Sequence, residues 1–557
     1  MSKGDFTVKS LSFVHGVVNL LRSLGSHAAN VFAFIGRHPT PVLVLPSLWL
    51  LLRYLPFWKD IDATVQLIAP AYDDNILHFP PVYSFLARVP FVVVDTLLKG
   101  HSTGIFERQH PSLAAVYALV VLQHVALWIA LRYFLVSFPA RDSARGAVTV
   151  LLASMASFYS FAHTCGSEAM TPITYFLVFG AGIRVLLHRA TWRTWVIYIA
   201  VLFLAIGSRH INLILLVWLP GTAFVFLICS LLRRSRSLSA FPTFVRSSGT
   251  GVASLGKSAL IALVCSLVAF GAEKIALNAV CREFGVIERS SLGSAMSGRI
   301  STWVDRLSLE QRQALLDTVQ RLTSDPLVKL AIQFQIEIGS YDKGTGSALA
   351  AALQERGFTG EPLLVERDKL ISQSSVCFYR TFNFGLAKEM LDDFWHGFLP
   401  TNDQGIAIAG PKATFFSLDR INQNPSDWAG ASELPIFFPA NAQATLARAT
   451  EDNYIRHWRW MPILAWALLF FGLGCYRATR GVLPASYLFI GLSILGSGTL
   501  VYAANCVCIY TLARYALPLL VSVIAFGCFV STAVSTPENA LLAKPGREEE
   551  SNETASS

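Results

Sequence analysis

Long apolar runs limit what this chain can fold into. They lie at about 41–57, 113–137, 147–164, 172–187, 194–208, 211–231, 258–277, 459–475, 482–503 and 514–534. Each approaches or reaches the roughly 17–25 residues that a helix needs to cross a hydrocarbon core, which gives about ten spans. With 53% hydrophobic and only 15% charged residues, the chain is not an ordinary soluble enzyme. The expected fold class is an all-α polytopic membrane protein of about ten transmembrane helices. One further piece, 81–98, is interrupted by Arg88, Pro90 and Asp95. It reads as a partly embedded, interfacial helix pair rather than a clean span. Arg53, near the end of the first span, must snorkel or line a polar cavity.

A net charge of +9 in a soluble protein would point to nucleic acid, but here Lys and Arg sit mainly in short loops between apolar runs. That distribution orients a chain in a bilayer. With a cytoplasmic N-terminus, one side receives Arg141 and Arg145, then Arg184, His188, Arg189 and Arg193. The same side takes Arg233, Arg234, Arg236, Arg246 and Lys257, and lastly Arg477 and Arg480. The acidic first loop, the loop holding Glu168, the Ser208-Arg209-His210 corner, a large polar insert and the segment before Arg514 fall on the outer side.

The expected organisation follows. Residues 1–38 form a cytoplasmic or interfacial segment without the long apolar core of a cleavable signal peptide, and 10–24 can lie on the membrane as an amphipathic helix. Residues 39–277 form a transmembrane domain with a first outer loop at 59–112. The insert, 278–457, is an extracytoplasmic α+β domain, 458–534 carries the last helices, and 535–557 is a disordered cytoplasmic tail. Its Asn552-Glu553-Thr554 sequon would face the cytoplasm, and the insert has no usable sequon. A bacterial inner membrane is therefore the expected home.

Within the insert, Ser308 and Gln311 make a capping-box signal, and Asp325 before Pro326 marks another helix start. Residues 346–357 and 384–398 have helical apolar spacing, while 405–410 and 413–418 read as short strands. Asp392, Asp393 and His396 share one helix, where a solvated acidic face outweighs a metal site. The nine cysteines show no zinc spacing. Cys281 with Cys377, and Cys165 with Cys506 or Cys508, are candidate disulfides if they face an oxidising compartment.

The chemistry concentrates between Lys59 and Arg88. Asp60, Asp62, Asp73, Asp74 and His78 precede Pro80-Pro81 and Tyr83. Carboxylates on the outer surface of a helical membrane domain, with no nucleotide-binding loop, suit a lipid-linked substrate whose activation is stored in a phosphoester. Such chemistry needs a carboxylate to take a proton from an incoming hydroxyl and cations to hold the departing phosphate. Arginine suits the second task because its planar fork grips phosphate oxygens in pairs. Arg209 and Arg514 are placed at outer span ends.

This arrangement resembles integral-membrane glycosyltransferases of the GT-C fold, particularly the protein mannosyltransferase and aminoarabinose transferase branch. In that branch an acidic element follows the first span, as Asp60 and Asp62 do here. A PP-aromatic element comes next, matched by Pro80-Pro81-Val82-Tyr83. An acidic residue and Pro open a later span, echoed by Glu168 and Pro172, and an Arg-Tyr-x-x-Pro element near the end is matched by Arg514-Tyr515-Ala516-Leu517-Pro518. The first acidic element departs from the family's adjacent Asp-Glu, so the resemblance leaves both aspartates as candidates, Asp62 preferred for lying further into the loop. The insert resembles no accessory domain of the family.

The resemblance implies transfer of a sugar from a polyprenyl-phosphate donor to a lipid, glycan or protein acceptor at the outer face, with inversion. Asp62 or Asp60 is then the general base, and Arg514 with Arg209 binds the donor phosphate. Asp73, Asp74, His78, Tyr83, Glu168 and Tyr515 contact substrate. A divalent metal is compatible with this chemistry but not demanded. The plainer readings are a solvated span end for Asp60 and Asp62, a turn for Asp73 and Asp74, a helix cap for Glu168 and snorkelling anchors for Arg209 and Arg514. Arg88 is expected to find an internal partner such as Asp95, and Glu273-Lys274 to flank the bilayer. A transporter or flippase of an anionic solute, and a non-catalytic scaffold, are the competing functions.

Overall fold

The computed structural model describes residues 26–53, 56–58, 66–67, 76–77, 80–101, 104–107, 109, 111–235, 252–285, 287–288, 291–338, 345–381, 383–398, 463–508 and 516–534. The chain is a helical multi-pass membrane protein. Among the described residues six helices are long and apolar enough to cross a membrane, and four shorter apolar helices accompany them.

A helical stretch at 26–37, α1, leads into α2 (Pro39–Arg53). Next come two short strands, β1 (Phe57–Trp58) and β2 (Ile76–Leu77), and then α3 (Pro81–Lys99). Proline at the first turn starts α3 and Gly100, at φ 75°, ends it, the usual asymmetry of helix termini. The 81–98 piece is thus one continuous helix, not a pair. α4 (Leu113–Leu135) begins at Ser112, whose hydroxyl accepts the Ala115 N–H at 3.2 Å. Arg88 does not pair with Asp95 as expected. Asp95 meets Lys99 at 3.4 Å and accepts the Ser112 N–H at 3.1 Å, tying α3 to the start of α4.

The expected span at 147–164 is broken. α5 (Asp142–Ser154) and α6 (Ala156–Ala162) join at Met155, where ψ is 82°; no proline or glycine accounts for the break. β3 (Thr164–Cys165) and a 3-10 turn (Ser167–Ala169) precede α7 (Met170–Leu186), and α8 (Trp192–Ile206) returns antiparallel to it. A second 3-10 turn (His210–Ile214) opens α9 (Leu215–Ser235), followed by α10 (Val252–Phe284). Glu273 and Lys274 lie within α10 rather than at its end, and Glu273 is buried.

Arg37, Arg184 and Arg477 gather at one end of the helices. Arg37 pairs with Asp142 at 3.8 Å, and Arg184 stacks on Tyr133 at 4.4 Å and donates to Ser137 Oγ at 3.1 Å. Arg477 donates to the Ala533 carbonyl at 2.9 Å, and Ala533 bridges Ala140. Arg37, at the end of α1, and Asp142, at the start of α5, thus lie at the same end of the helices. α3 instead runs back along the half of α4 remote from the Arg-rich end, with Asp95 beside Ser112 and the Tyr83 hydroxyl beside Gln123.

The described insert is helical: β4 (Ile287–Glu288), α11 (Ser291–Val304), α12 (Leu309–Gln320), α13 (Pro326–Ile338), α14 (Thr345–Gln354), α15 (Gly360–Arg380) and α16 (Phe384–Phe398). It has its own apolar core, including Trp303, Val319, Ile332, Leu353, Leu370 and Phe378. The expected strands at 405–410 and 413–418 lie outside the described residues. Three helices complete the membrane domain: α17 (Ile463–Thr479), α18 (Ala485–Cys508) and α19 (Leu517–Thr532). The insert is fastened to α18 by the Tyr379 hydroxyl on the Val507 carbonyl (2.5 Å) and the Tyr502 hydroxyl on the Asp393 carbonyl (2.7 Å). It also meets the first loop, since β4 pairs with β2 in parallel. All nine cysteines are free thiols, so neither expected disulfide forms.

Ser308 and Gln311 form the expected capping box on α12, and Asp325 caps α13 through the Leu327 N–H at 2.8 Å. Ser308→Ala should destabilise the insert by about 1 kcal/mol, the usual effect of losing such a cap, read as a lower unfolding midpoint of the full chain. Burial holds the Glu389 carboxyl above the usual carboxylate range, against the pull of Arg306 and Arg299. A carboxyl raised on folding favours the fold below its unfolded pKa, near 4.3, and that contribution is lost as pH rises through the raised value. Glu389→Gln keeps an acceptor for Arg306 and should flatten the decline in unfolding midpoint as pH rises above about 4.

Candidate functional site

The α7–α8 hairpin sets the geometry of the site. Its closed end holds Arg184 in the last turn of α7, His188 and Arg189 in the connection and Arg193 in the first turn of α8, and its open end presents Glu168 before α7 and Arg209 after α8. The 17 residues of α7 separate the two ends by about 25 Å at 1.5 Å per residue. Glu168 Oε1 lies 3.3 Å from Arg209 Nη1, with 2% of the Glu168 side chain and 16% of the Arg209 side chain exposed. Both residues make further interactions. Two residues separate in sequence thus meet in one ion pair between a buried Glu168 and a half-buried Arg209.

The backbone around the pair is fixed by amides and a tyrosine. The Tyr83 hydroxyl donates to Gln123 Oε1 at 3.1 Å and accepts the Gly166 N–H at 3.0 Å. Gln123 Nε2 donates to the Ala162 and Thr164 carbonyls at 2.9 and 3.0 Å. Tyr83 N–H reaches the Gly207 carbonyl at 3.4 Å, so the first turn of α3 braces both arms of the hairpin at its open end. Glycine at 207 is required for that approach, because a Cβ there would lie 2.3 Å from Val82 Cγ2. Asn212 secures the other side, accepting from the Tyr175 hydroxyl at 3.0 Å and donating to the Ala205 carbonyl at 2.8 Å.

The first loop is fastened to the same corner on both flanks of its first acidic segment. Phe57 and Trp58 pair in parallel with Thr164 and Cys165. Gln66 exchanges two hydrogen bonds with Ser167, accepting its N–H at 3.1 Å and donating to its hydroxyl at 3.3 Å. Arg88, fully buried, donates to the carbonyls of Gln66 (3.1 Å) and Ile105 (3.3 Å). These partners are backbone carbonyls, and Arg88 makes further interactions besides. Asp60, Asp62, Asp73, Asp74, His78, Arg514 and Tyr515 lie outside the described residues. The segment holding Arg514 joins α18, which packs against the His210–Ile214 turn, to α19, which packs against α7.

Of the expected site residues, Glu168, Arg209 and Tyr83 come together, Tyr83 with its hydroxyl engaged by protein on both sides. Gln66, Arg88, Gln123 and Ser167 were not anticipated. A lone glutamine in the apolar run at 113–137 was the available signal, since an intramembrane polar group needs a partner. Among the described residues no three His, Cys, Asp or Glu side chains gather as a metal site. Asp393 is engaged by Arg299, and the His396 side chain lies outside the described residues.

Fold and corner together define a helical multi-pass membrane protein with a buried charged centre at the end opposite its Arg-rich loops. No family model matches the chain, and no curated protein matches it. Among solved structures it is similar to the archaeal oligosaccharyltransferase AglB from Archaeoglobus fulgidus, solved in complex with an inhibitory peptide and a dolichol-phosphate. The two are 12% identical with a TM-score of 0.37, covering 88% of this chain and 50% of that one. This chain spans about half the length of that protein.

Proposed function

We propose that this chain is a membrane glycosyltransferase of the GT-C type that moves a sugar from a polyprenyl-phosphate donor to an acceptor hydroxyl. The observation that carries the reading is the double attachment of the first loop. Trp58 and Gln66, on either side of the segment with Asp60 and Asp62, are both fastened beside the Glu168–Arg209 pair.

In this mechanism Asp62 or Asp60 accepts the proton of the acceptor hydroxyl as its oxygen attacks the anomeric carbon. The bond from that carbon to the phosphate oxygen breaks on the opposite face, so configuration inverts, and the polyprenyl phosphate leaves. Arg209 and Arg514 carry the cationic charge that stabilises the leaving phosphate. Glu168 holds Arg209, while Tyr83, Gln66 and Arg88 position the loop. Asp73, Asp74, His78 and Tyr515 are assigned to substrate contact by the sequence resemblance alone. Bacterial inner membrane and an outer-facing insert remain part of the same proposal.

The test uses the purified full chain in vesicles containing a polyprenyl-phosphate sugar labelled in the sugar. Transfer predicts labelled acceptor together with stoichiometric polyprenyl phosphate. Movement of the intact labelled lipid between leaflets, with no phosphate released, would instead establish a flippase.

A further inference from the structure

A second site lies at the opposite, Arg-rich end of the molecule. Where α1 gives way to α2, a cavity of about 410 Å³ opens beside the last turn of α4. Its lining combines Arg37, His38 and Arg132 with apolar side chains including Phe34, Pro39 and Val42, and contains no acidic residue. Arg37 is shared with Asp142, which lies outside the lining, at 3.8 Å. Arg132, exposed in the last turn of α4, makes no ion pair among the described residues. His38 packs against Phe34, their ring centroids 5.2 Å apart, and Phe34 itself is largely exposed.

This combination has a chemical meaning. With no acid in the lining and Arg37 alone shared with a nearby carboxylate, the cavity keeps an excess of positive charge that an anion relieves. An apolar wall continuing into exposed Phe34 and Leu45 gives that anion a hydrocarbon attachment. The volume lies in the range of ordinary ligand cavities. Basic pockets between membrane helices on the Arg-rich side are where anionic headgroups are held. The geometry points to a binding site for the phosphodiester headgroup of an anionic glycerophospholipid, with its acyl chains lying along α1 and α2. The site is distant from the proposed catalytic corner and does not depend on the transferase reading.

The experiment is native mass spectrometry of the full chain released from vesicles of mixed phosphatidylglycerol and phosphatidylcholine. The wild-type chain should retain phosphatidylglycerol selectively. Arg132→Gln should lower retention about fivefold, the effect of one basic residue near an anionic lipid, and Arg132→Lys should largely restore it. Val42→Trp, which fills the cavity and leaves every charge in place, should lower it equally. Three results would each overturn the proposal: Arg132→Gln retaining lipid like wild type, Val42→Trp doing so while folded, or equal retention of phosphatidylcholine. Displacement of the lipid by millimolar inorganic phosphate would also overturn it, by showing that free phosphate is the ligand.

Discussion

Replacing Asp60 and Asp62 together by Asn should lower sugar transfer by about 10²–10⁴-fold, the usual contribution of a general base, while donor lipid still binds. Asparagine keeps the size and hydrogen-bonding reach of aspartate but cannot accept a proton. On the flanks of the segment Trp58 is held through backbone pairing with Cys165, and Gln66 through Ser167. Loss of rate without loss of binding would therefore report chemistry rather than a displaced loop. The single variants then assign the base, because only one of the two carboxylates should carry most of the effect. A double variant transferring at the wild-type rate would sink the carboxylate mechanism.

The parts of this molecule that were legible in sequence are those governed by local rules. The capping box at Ser308 and Gln311 and the helix at 384–398 follow from short-range hydrogen bonding and periodicity, and both form. The apolar runs likewise become helices, because an unpaired backbone cannot lie in hydrocarbon. What sequence reading missed depends on contacts between distant segments. Gln66 and Ser167 are 101 positions apart, and no local pattern announces that an amide will meet a hydroxyl at that distance. Arg88 shows the same limit. An acidic partner on its own helix was expected, yet the buried guanidinium serves backbone carbonyls of a separate loop. Glu168 and Arg209 were each singled out, but their pairing required the antiparallel return of α8 along α7.

Arg209→Met should destabilise the chain by about 3–5 kcal/mol, because it removes the cation 3.3 Å from the buried Glu168 carboxylate. The expected readout is a large fall in the unfolding midpoint of the purified full chain. Glu168→Gln removes the buried anion and should recover most of that stability in the double variant, giving a strong favourable coupling between the two changes. The pair satisfies the condition for such coupling, lying at 3.3 Å with both side chains shielded from solvent. Catalysis separates two roles for the arginine. If Arg209 serves only to neutralise Glu168, the double variant should regain transfer along with stability. If it also stabilises the departing phosphate, stability returns while the transfer rate stays about 10²–10³-fold low, the range found when one donor to a developing anion is lost. The proposed mechanism requires the second result, since Met at 209 offers no donor to phosphate whatever residue occupies 168.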